Sequence, residues 1–414
     1  MSVQIRNYLE GFADREAALR KIAEVDETAF GEGFTEEELR SPIFGVLDDD
    51  RTFLAWDADQ VVGVSANFSL DVSVPGGSVP TAGVSFVGVR PTHRRRGVMT
   101  AMLDILHADG LSRNEPIAAL WAADAAIYPR FGYGRATRRL FTEIRRAHGA
   151  LTNAPEDGSI RLRMMNSSDD YSLTHPIYSA VHASRGGVPA VDNRWHERQT
   201  WDPPSSREGA SSLYTVVAED DNGVRGFMRY NVKPEWTDSH DNGTFTIYRL
   251  MSRDPAAHAA LWRYALTFDL MAKVKWFNAP IDDPVQLWLE YPRHATRQFE
   301  DALYVRLLDL PSAITARTFS TECDVVVHVT DSRFPENAGR WRIAGGPHGA
   351  TCRQTKDPAD LALDIRVLGA AYLGDASLSE FAKAGWIEEN RPGTLGALDS
   401  ALRTDTPPYC PFVF

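Results

Sequence analysis

The residues best suited to chemistry form a basic turn between a β-branched stretch and an amphipathic one. Three consecutive arginines precede Gly97, and helical spacing of apolar residues begins at Val98. Backbone N–H groups at a helix start bind anions, and the helix dipole adds to this attraction. Exposed cations there otherwise cost about 0.3–1 kcal/mol each. The pattern favours an anion site over a solvated basic turn, and its candidate residues are Arg94, Arg95, Arg96, Gly97, Val98, Met99 and Thr100.

The stretch before this turn has the composition of a strand and ends in Val87, Gly88 and Val89. An extended ligand with amide groups can pair with the backbone of such a strand, whatever its side chains are. Arginines suit phosphate groups, and Gly97 lets the backbone approach them closely. The two segments together predict a ligand with a diphosphate and an extended amide chain.

A second candidate segment, residues 121–134, contains Tyr128 and Tyr133 beside a Phe-Gly pair. A tyrosine hydroxyl, with a reference pKa of about 10, can protonate a departing thiolate. By itself, a tyrosine beside Phe-Gly is more often a core or turn aromatic. The residue types alone leave both interpretations open.

The chain ends in Phe412, Val413 and Phe414, and by composition this is a packed apolar tail. A free α-carboxylate has a pKa of about 3.3–3.7, which is low for accepting a proton from an amine near neutrality. Burial among Phe412, Val413 and Phe86 would raise that pKa, and a water relay is an alternative.

The bulk properties narrow the class of protein. A chain of 414 residues predicts about three domains. A net charge of −12 argues against nucleic acid as the main partner. No apolar run reaches the ~18–20 residues of a membrane helix, and the N-terminus lacks a secretory signal. Three distant cysteines and unclustered histidines give no metal-ligand spacing, so we expect a cytoplasmic protein without a metal.

The pattern of elements repeats along the chain. The predicted strands are 52–56, 61–70, 82–89, 117–121, 244–251 and 285–290, with a hairpin over 213–218 and 224–232; the predicted helices are 13–30, 98–108 and 254–273. Hairpin, strand, helix and strand recur in the same order, which indicates a degenerate duplicate. Asp254 at the start of the second long helix would repel phosphate, so we expect one cofactor site per chain. From residue 303 a smaller α+β domain is predicted, with helices near 357–364, 377–384 and 394–402.

Two segments carry a family resemblance. Residues 81–97, TAGVSFVGVRPTHRRRG, and residues 127–134, IYPRFGYG, are similar to those of the Eis family of GNAT N-acetyltransferases. Met99 departs from the small residue that usually ends the GNAT signature. The resemblance implies acetyl-CoA as the cosubstrate, Tyr128 as proton donor and the C-terminal carboxylate of Phe414 as proton acceptor. It also places Ala123 and Asp124 at coenzyme A. In the reaction that we expect, the amine binds near Phe86 and the carboxylate of Phe414.

The resemblance also implies an architecture. The fold class is α+β (mixed α/β), with tandem GNAT folds and a sterol-carrier-protein-like domain. We expect an N-terminal GNAT domain over 1–147, a central GNAT-like domain without a cofactor site over 148–299, and a C-terminal domain over 300–414 whose end reaches the active site. A homohexamer of two stacked trimers is expected.

The acceptor is expected to be a primary amine of an aminoglycoside-like polyamine or of a lysine side chain. Aminoglycoside-acetylating relatives can carry an acid before the final Phe, where this chain has Val413. Glu32, Glu36 and Glu37 could line a cleft for a cationic substrate, or could simply be solvated. The competing hypothesis is a lipid- or ligand-binding protein whose GNAT folds are an inactive scaffold.

Overall fold

The computed structural model describes residues 3–31, 33–238 and 240–414. The chain forms two compact units, each assembled from separated segments. Unit 1 comprises Met1–Thr137, Leu303–Asp405 and Val413–Phe414; unit 2 comprises Arg138–Ala302 and Thr406–Phe412.

Among the described residues before 138, the structure has six β-strands and four α-helices. They are β1 (Gln4–Asn7), α1 (Arg15–Phe30), α2 (Glu36–Leu39), α3 (Pro42–Gly45), β2 (Thr52–Asp57), β3 (Gln60–Val74), β4 (Gly77–Val89), α4 (Val98–Ser112), β5 (Ile117–Trp121) and β6 (Gly134–Arg135). The predicted helices here are confirmed. Asp14 caps α1 by accepting the Ala17 N–H, and Thr35 and Glu38 form a reciprocal capping box at α2.

Residues 138–302 contain the elements of unit 2. They are β7 (Arg138–Arg145), β8 (Arg161–Asn166), α5 (Tyr171–Ser184), α6 (Asn193–Thr200), β9 (Tyr214–Asp220), β10 (Gly223–Lys233), β11 (Trp236–Thr237), β12 (His240–Asp241), β13 (Gly243–Ser252), α7 (Pro255–Thr267), β14 (Met271–Ala279), α8 (Val285–Trp288) and β15 (Thr296–Asp301). The hairpin formed by β9 and β10 confirms the predicted one.

Two predictions in unit 2 are wrong. The helix expected to reach residue 273 ends at Thr267, because Leu270 adopts a left-handed conformation with φ of 63° and β14 follows at once. Residues 285–288 form the short helix α8 and not a strand. Asp283 accepts the Val285 N–H at 2.9 Å, and Pro284 has the fixed φ that suits a helix start.

The last segment contains β16 (Leu303–Leu307), α9 (Leu310–Thr315), β17 (Cys323–Thr330), β18 (Gly339–Gly346), β19 (Gly349–Gln354), β20 (Leu361–Asp364), α10 (Ile365–Ala371), α11 (Leu378–Lys383), β21 (Ile387–Glu389) and α12 (Thr394–Leu402). The helix predicted over 357–364 is wrong. Leu361 and Leu363 are buried on a strand that pairs in parallel with β17, so tertiary pairing overrides the local pattern.

Each unit has a seven-stranded sheet, and the two sheets share one topology. Unit 1 has the order β1-β2-β3-β4-β5-β16-β6, and unit 2 has β8-β9-β10-β13-β14-β7-β15. In each, three antiparallel neighbours lead to a parallel pair joined by a long helix, α4 or α7. The duplicate is therefore confirmed. The strand after the parallel pair is exchanged, because unit 1 takes β16 and unit 2 takes β7.

Unit 1 also contains a five-stranded sheet, β19-β18-β17-β20-β21. Helix α10 is largely buried and packs near β16 and β6 of the seven-stranded sheet, whereas α12 buries one face. In the described parts of the chain, no helix is long and apolar enough to cross a bilayer.

Candidate active site

The central parallel strands of unit 1 diverge. Pairing between β4 and β5 runs from Thr81 opposite Ile117 to Gly83 opposite Ala119 and then stops. Beyond Gly83, β4 continues to Val89 while paired only with β3. We call the space between residues 84–89 of β4 and residues 120–121 of β5 the first cleft. The edge of β4 that borders it has backbone groups free to pair with a ligand.

A β-bulge lies on the strand that lines the first cleft. Ser85 lies opposite Ala66 and Gly88 opposite Val64, so Phe86 and Val87 both oppose Ser65. Phe86 has a φ of 53°, which is uncommon for a bulky residue and costs about 1–3 kcal/mol. Bulges bend a strand and re-aim its side chains, and they are frequent beside active sites.

An aromatic cluster stabilises this strained position. The ring of Phe86 lies 5.8 Å from that of Phe44 and 6.4 Å from that of Phe68, and Phe34 packs edge-on against Phe44. Phe86 itself remains half-buried, so one side of the cluster is accessible.

The basic turn connects β4 to α4 through residues 90–97. Arg90 donates from Nε to the Val61 carbonyl at 2.9 Å, which ties the start of the turn to β3. Arg95 and Gly97 both have left-handed backbones, with φ of 61° and 81°. A Cβ at position 97 would meet nothing within 4 Å. Glycine is therefore favoured there by the left-handed backbone conformation and not by packing within the chain.

The N-terminus of α4 is open. No described side chain caps it, and the first helical hydrogen bond is from Ala101 N–H to the Gly97 carbonyl. The first amides of α4 are therefore available to an anion. Arg94, Arg95 and Arg96 are exposed, and no carboxylate among the described residues forms an ion pair with them. The turn combines free N–H groups with uncompensated positive charge.

Tyr128 lies in a 3₁₀ turn (Tyr128–Phe131) that follows β5. It is 7% exposed, and no described residue forms a hydrogen bond with its hydroxyl. Burial, and secondarily the charge of Asp124, raise the pKa of Tyr128 to about 12. The hydroxyl therefore stays protonated near neutrality, and it has no hydrogen-bond partner among the described residues.

The comparisons with known proteins agree with this geometry. Residues 14–136 and 187–307 each match a model of an acetyltransferase (GNAT) domain, and residues 310–411 match a sterol carrier protein domain. An uncharacterized N-acetyltransferase of Streptomyces avermitilis is 41% identical over 388 residues, 93% of this chain and 95% of the relative. N-acetyltransferase Eis of Mycobacterium bovis is 30% identical over 368 residues, 87% of each chain. The chain belongs to the Eis family of GNAT N-acetyltransferases.

Solved structures extend the assignment to the whole fold. Eis1 from Mycobacterium abscessus superposes with a TM-score of 0.83 at 29% identity, and the match covers 99% of this chain and 100% of that one. The protein is thus an acetyltransferase with tandem GNAT folds and a sterol-carrier-like region. The domain boundaries at 147 and 299 stay predictions.

The structure brings most of the predicted coenzyme-binding residues of this Eis-family protein to the first cleft. Val87, Gly88 and Val89 lie on its β4 edge, and Arg94–Thr100 form the turn and helix start. Ala123 and Asp124 are exposed just after β5, where the Asp124 carboxylate accepts the Ala126 N–H at 2.9 Å. The unusual Met99 is half-buried, and its sulfur accepts a hydrogen bond from Arg130 at 3.8 Å.

The chain end is only partly as expected. Phe414 is 5% exposed and belongs to unit 1, as Tyr128 does. Val413, expected to help bury the carboxylate, is 53% exposed, and Phe412 is buried in unit 2. Half of Val413 is open to solvent, and a raised pKa of the terminal carboxylate stays a prediction.

Of the acidic residues suggested for a cationic cleft, Glu36 is engaged in ion pairs on the surface. Glu36 pairs with Arg20 at 3.0 Å and lies 4.0 Å from Arg40, and Glu37 is exposed on α2. Glu32 lies outside the described residues.

A buried polar layer behind Tyr128 was missed by sequence reasoning. Tyr133 packs edge-on against Tyr128 with ring centroids 5.8 Å apart, and its hydroxyl forms a 2.9 Å hydrogen bond with His107 Nε2. Burial first, and then the charges of Arg306 and Arg333, lower the pKa of His107 to about 3. His107 is therefore neutral when it holds Tyr133.

Arg306 underlies the same turn. It is fully buried on β16 and forms a 2.6 Å ion pair with Asp331, which is itself buried. A Cβ at Gly132 would lie 2.0 Å from its Nη1, so glycine makes room for the guanidinium. An arginine inside the otherwise apolar stretch 303–308 was the available sequence signal, because a buried charge requires a partner.

Proposed function

We propose that this protein transfers an acetyl group from acetyl-CoA to a primary amine in the first cleft. The observation that carries the proposal is the divergence of β4 from β5 above an uncapped, arginine-flanked helix N-terminus. A cleft with a free strand edge at one end and free amides at the other suits a ligand with an amide chain and a diphosphate.

The two ends of the first cleft suit two different parts of acetyl-CoA. The amides of Val98, Met99 and Thr100 and the arginines 94–96 suit the phosphates. The backbone of residues 87–89 suits the pantetheine amides, with Ala123 and Asp124 on the opposite side of the cleft. When bound, acetyl-CoA supplies an activated acetyl group and a thiolate leaving group.

Tyr128 is the proposed proton donor. Its phenolic proton passes to the sulfur as the carbon–sulfur bond breaks and the sulfur keeps the bonding electron pair. The raised pKa keeps this proton in place until negative charge develops on sulfur. Tyr133 and His107 hold the ring of Tyr128 from behind.

The C-terminal carboxylate of Phe414 is the proposed proton acceptor. The amine forms the new carbon–nitrogen bond and gives up one proton to this carboxylate, directly or through a water. The Val87 N–H, in the bulge, is the proposed donor to the acetyl oxygen. The burial of Phe414 in unit 1, which also contains Tyr128, supports this proposal.

We propose that the preferred acceptor is an amine on an apolar stem, such as a lysine side chain. An aminoglycoside-like polyamine is expected to be a poorer substrate. The residues around Phe86 are aromatic, and aromatic rings attract an alkylammonium without needing several carboxylates. Val413 is uncharged and Glu36 is already paired, so neither favours a polycation. The test measures initial rates with peptides that contain unacetylated lysine and with kanamycin-like polyamines, at equal amine concentration. We expect the higher rates with the lysine peptides.

We also propose that copies of the chain assemble, with a homohexamer as the family's expected state. Strand β15 is the edge of the unit 2 sheet, and Phe299 and Phe277 are 60% and 53% exposed on that sheet. Exposed apolar side chains on an edge strand favour association. Light scattering of the wild-type protein and of Phe299→Lys measures the mass; a monomeric wild type contradicts assembly.

The central experiment compares two glycines by calorimetric titration with acetyl-CoA. Gly97 and Gly393 each precede a helix without a side-chain cap, with φ of 81° and 90° and nothing within 4 Å of a Cβ. Alanine imposes similar backbone strain at both, about 1–2 kcal/mol. We expect Gly97→Ala to weaken acetyl-CoA binding at least tenfold, and Gly393→Ala to leave it within twofold. Wild-type protein that binds no acetyl-CoA contradicts the proposal.

A further inference from the structure

Unit 2 contains a counterpart of the first cleft. Parallel pairing between β13 and β14 stops where Ile247 lies opposite Trp276. Beyond that point, β13 continues to Ser252 and β14 to Ala279 with no ladder between them. We call the space between residues 248–252 and residues 277–279 the second cleft. In topology it is the place that the proposed cosubstrate takes in unit 1.

The chain's own C-terminal segment occupies the second cleft. From β14, the Asn278 carbonyl accepts the Tyr409 hydroxyl at 2.6 Å, and its Nδ2 donates to the Cys410 carbonyl at 3.1 Å. From β13, Arg249 Nη2 donates to the Pro411 carbonyl at 3.4 Å. Both diverging strands therefore hold the same short peptide, which lies between them.

The residues just after α5, together with helix α6, form the other side of this binding site for the tail. The Tyr409 N–H donates to the Gly186 carbonyl at 2.9 Å, and the guanidinium of Arg185 lies 5.4 Å from the Tyr409 ring centroid. The Phe412 ring lies 5.5 Å from that of Trp195. Tyr409, Cys410 and Phe412 are 3%, 1% and 8% exposed, so the peptide is anchored by buried side chains as well as by its backbone.

Arg249, which lines the second cleft, is a buried arginine without an ion pair in the part of the chain that the structure describes. It is 6% exposed, and no carboxylate among the described residues lies within ion-pair distance of it. Its guanidinium lies 5.6 Å from the Phe412 ring centroid and donates to Gln199 and to the Pro411 carbonyl. A buried cation without an anion is costly, so the tail's carbonyl and aromatic face are part of what stabilises it.

The peptide is stiff. Prolines at 407, 408 and 411 fix φ and remove backbone donors, which favours an extended shape with little entropy to lose. A stiff peptide held at Tyr409 and Phe412 transmits its position to the residues that follow. Only Val413 separates Phe412 from the chain end.

We propose that the second cleft is a clamp for residues 409–412, in which Arg249 and Asn278 are positioning residues for the terminal carboxylate. The inference rests on the role proposed above for Phe414. The second cleft thus binds the C-terminal segment of its own chain at the position where the first cleft is proposed to bind the cosubstrate.

The test uses the full-length protein and the thiol of Cys410 as a reporter. Cys410 is buried inside the clamp, whereas Cys323 and Cys352 are half-buried in unit 1 and serve as internal references. Iodoacetamide labelling of each cysteine is followed by mass spectrometry. In parallel, kcat and the Kd for acetyl-CoA are measured.

The variant Arg249→Met removes the guanidinium and keeps an apolar side chain of similar length. Arg263→Met is the matched control, because Arg263 also donates to backbone carbonyls of unit 2, those of Pro155 and Ala154. We expect Arg249→Met to speed Cys410 labelling at least tenfold relative to Cys323. It should also lower kcat at least tenfold while the acetyl-CoA Kd stays within twofold. Arg263→Met should do neither.

The outcomes separate the two proposals. Unchanged Cys410 labelling in Arg249→Met overturns the clamp. Faster labelling with an unchanged kcat overturns the positioning role. If the wild-type protein acetylates no amine, the proposed function fails, and the labelling ratio still decides the clamp. Should Arg249→Met not fold, Tyr409→Phe removes one hydrogen bond only, and a threefold rise in labelling is expected.

Discussion

The two long crossover helices, α4 and α7, begin in opposite ways although they follow equivalent strands. In unit 1, residues 90–97 separate β4 from α4, and the helix starts after Gly97 without a cap. In unit 2, Arg253 and Asp254 alone separate β13 from α7. The Asp254 carboxylate accepts the N–H groups of Ala256 and Ala257, both at 3.0 Å. One helix start is left open to an outside anion and the other is closed by the chain itself.

The charges around the two starts differ in the same sense. Arg94, Arg95 and Arg96 immediately precede the start of α4. Near the start of α7 lies a cavity of about 190 Å³, and its lining includes Asp282, Asp283 and Tyr409. A diphosphate at α7 would face these carboxylates as well as Asp254. The comparison teaches that two strand–helix crossovers of the same topology can present an anion with opposite local charges at the helix start, so we predict that only the α4 start binds the cofactor.

Tyr128→Phe is expected to have the largest effect, because Tyr128 is the proposed proton donor to the departing thiolate. Loss of the acid should lower kcat by about 10²–10⁴-fold and leave the KM for acetyl-CoA nearly unchanged. Steady-state rates with Tyr291→Phe, half-exposed in unit 2, control for loss of a tyrosine hydroxyl. Wild-type turnover in Tyr128→Phe would remove this residue from the mechanism.

Making the α4 start resemble that of α7 should weaken acetyl-CoA binding. Asn and Asp both tolerate the left-handed backbone of position 97, so Gly97→Asn and Gly97→Asp differ mainly in charge. A carboxylate near the diphosphate should make the Kd of the Asp variant about 10–100-fold higher than that of the Asn variant. Equal affinities, measured by calorimetry, would contradict a diphosphate at this turn.

The reverse change at α7 tests whether Asp254 alone closes the second cleft. Asp254→Ala should cost about 0.5–2 kcal/mol of stability through the lost cap, seen as a lower Tm. Asp309→Ala, which uncaps α9 in unit 1, is the matched control. Both variants should bind one acetyl-CoA per chain. A second binding site in Asp254→Ala would show that the tail does not block the cleft.

Local signals in the sequence predicted much of this difference. The arginines before Gly97 and the Asp254-Pro255 helix start are short-range features, and the structure has them where they were expected. Val285–Trp288 was misread because a short, mostly apolar run fits a buried strand as well as a helix. Neither pattern contains information about distant parts of the chain.

The exchange of β7 and β16 could not be predicted in this way. All five residues of Leu303–Leu307 are buried, so the strand has no polar face to indicate which sheet it joins. The occupant of the second cleft was missed for a related reason. An apolar tail ending in Phe412 and Phe414 predicts burial, but partners such as Asn278 and Arg249 lie more than a hundred residues away in sequence.

The smallest expected effect concerns the ionisation of Tyr128. A tyrosine of ordinary pKa would be half ionised at pH 10, whereas one with a pKa of about 12 would be only about 1% ionised. Because the protonated form is the donor, kcat should change by less than about 10% between pH 8.5 and 10. The acceptor should be an amine of pKa below 8, and enzyme returned from pH 10 to pH 8.5 should recover its full rate. A reversible twofold fall in kcat at pH 10 would show that the pKa of Tyr128 is not raised. The side chain would then be better hydrated than its exposure of 7% indicates.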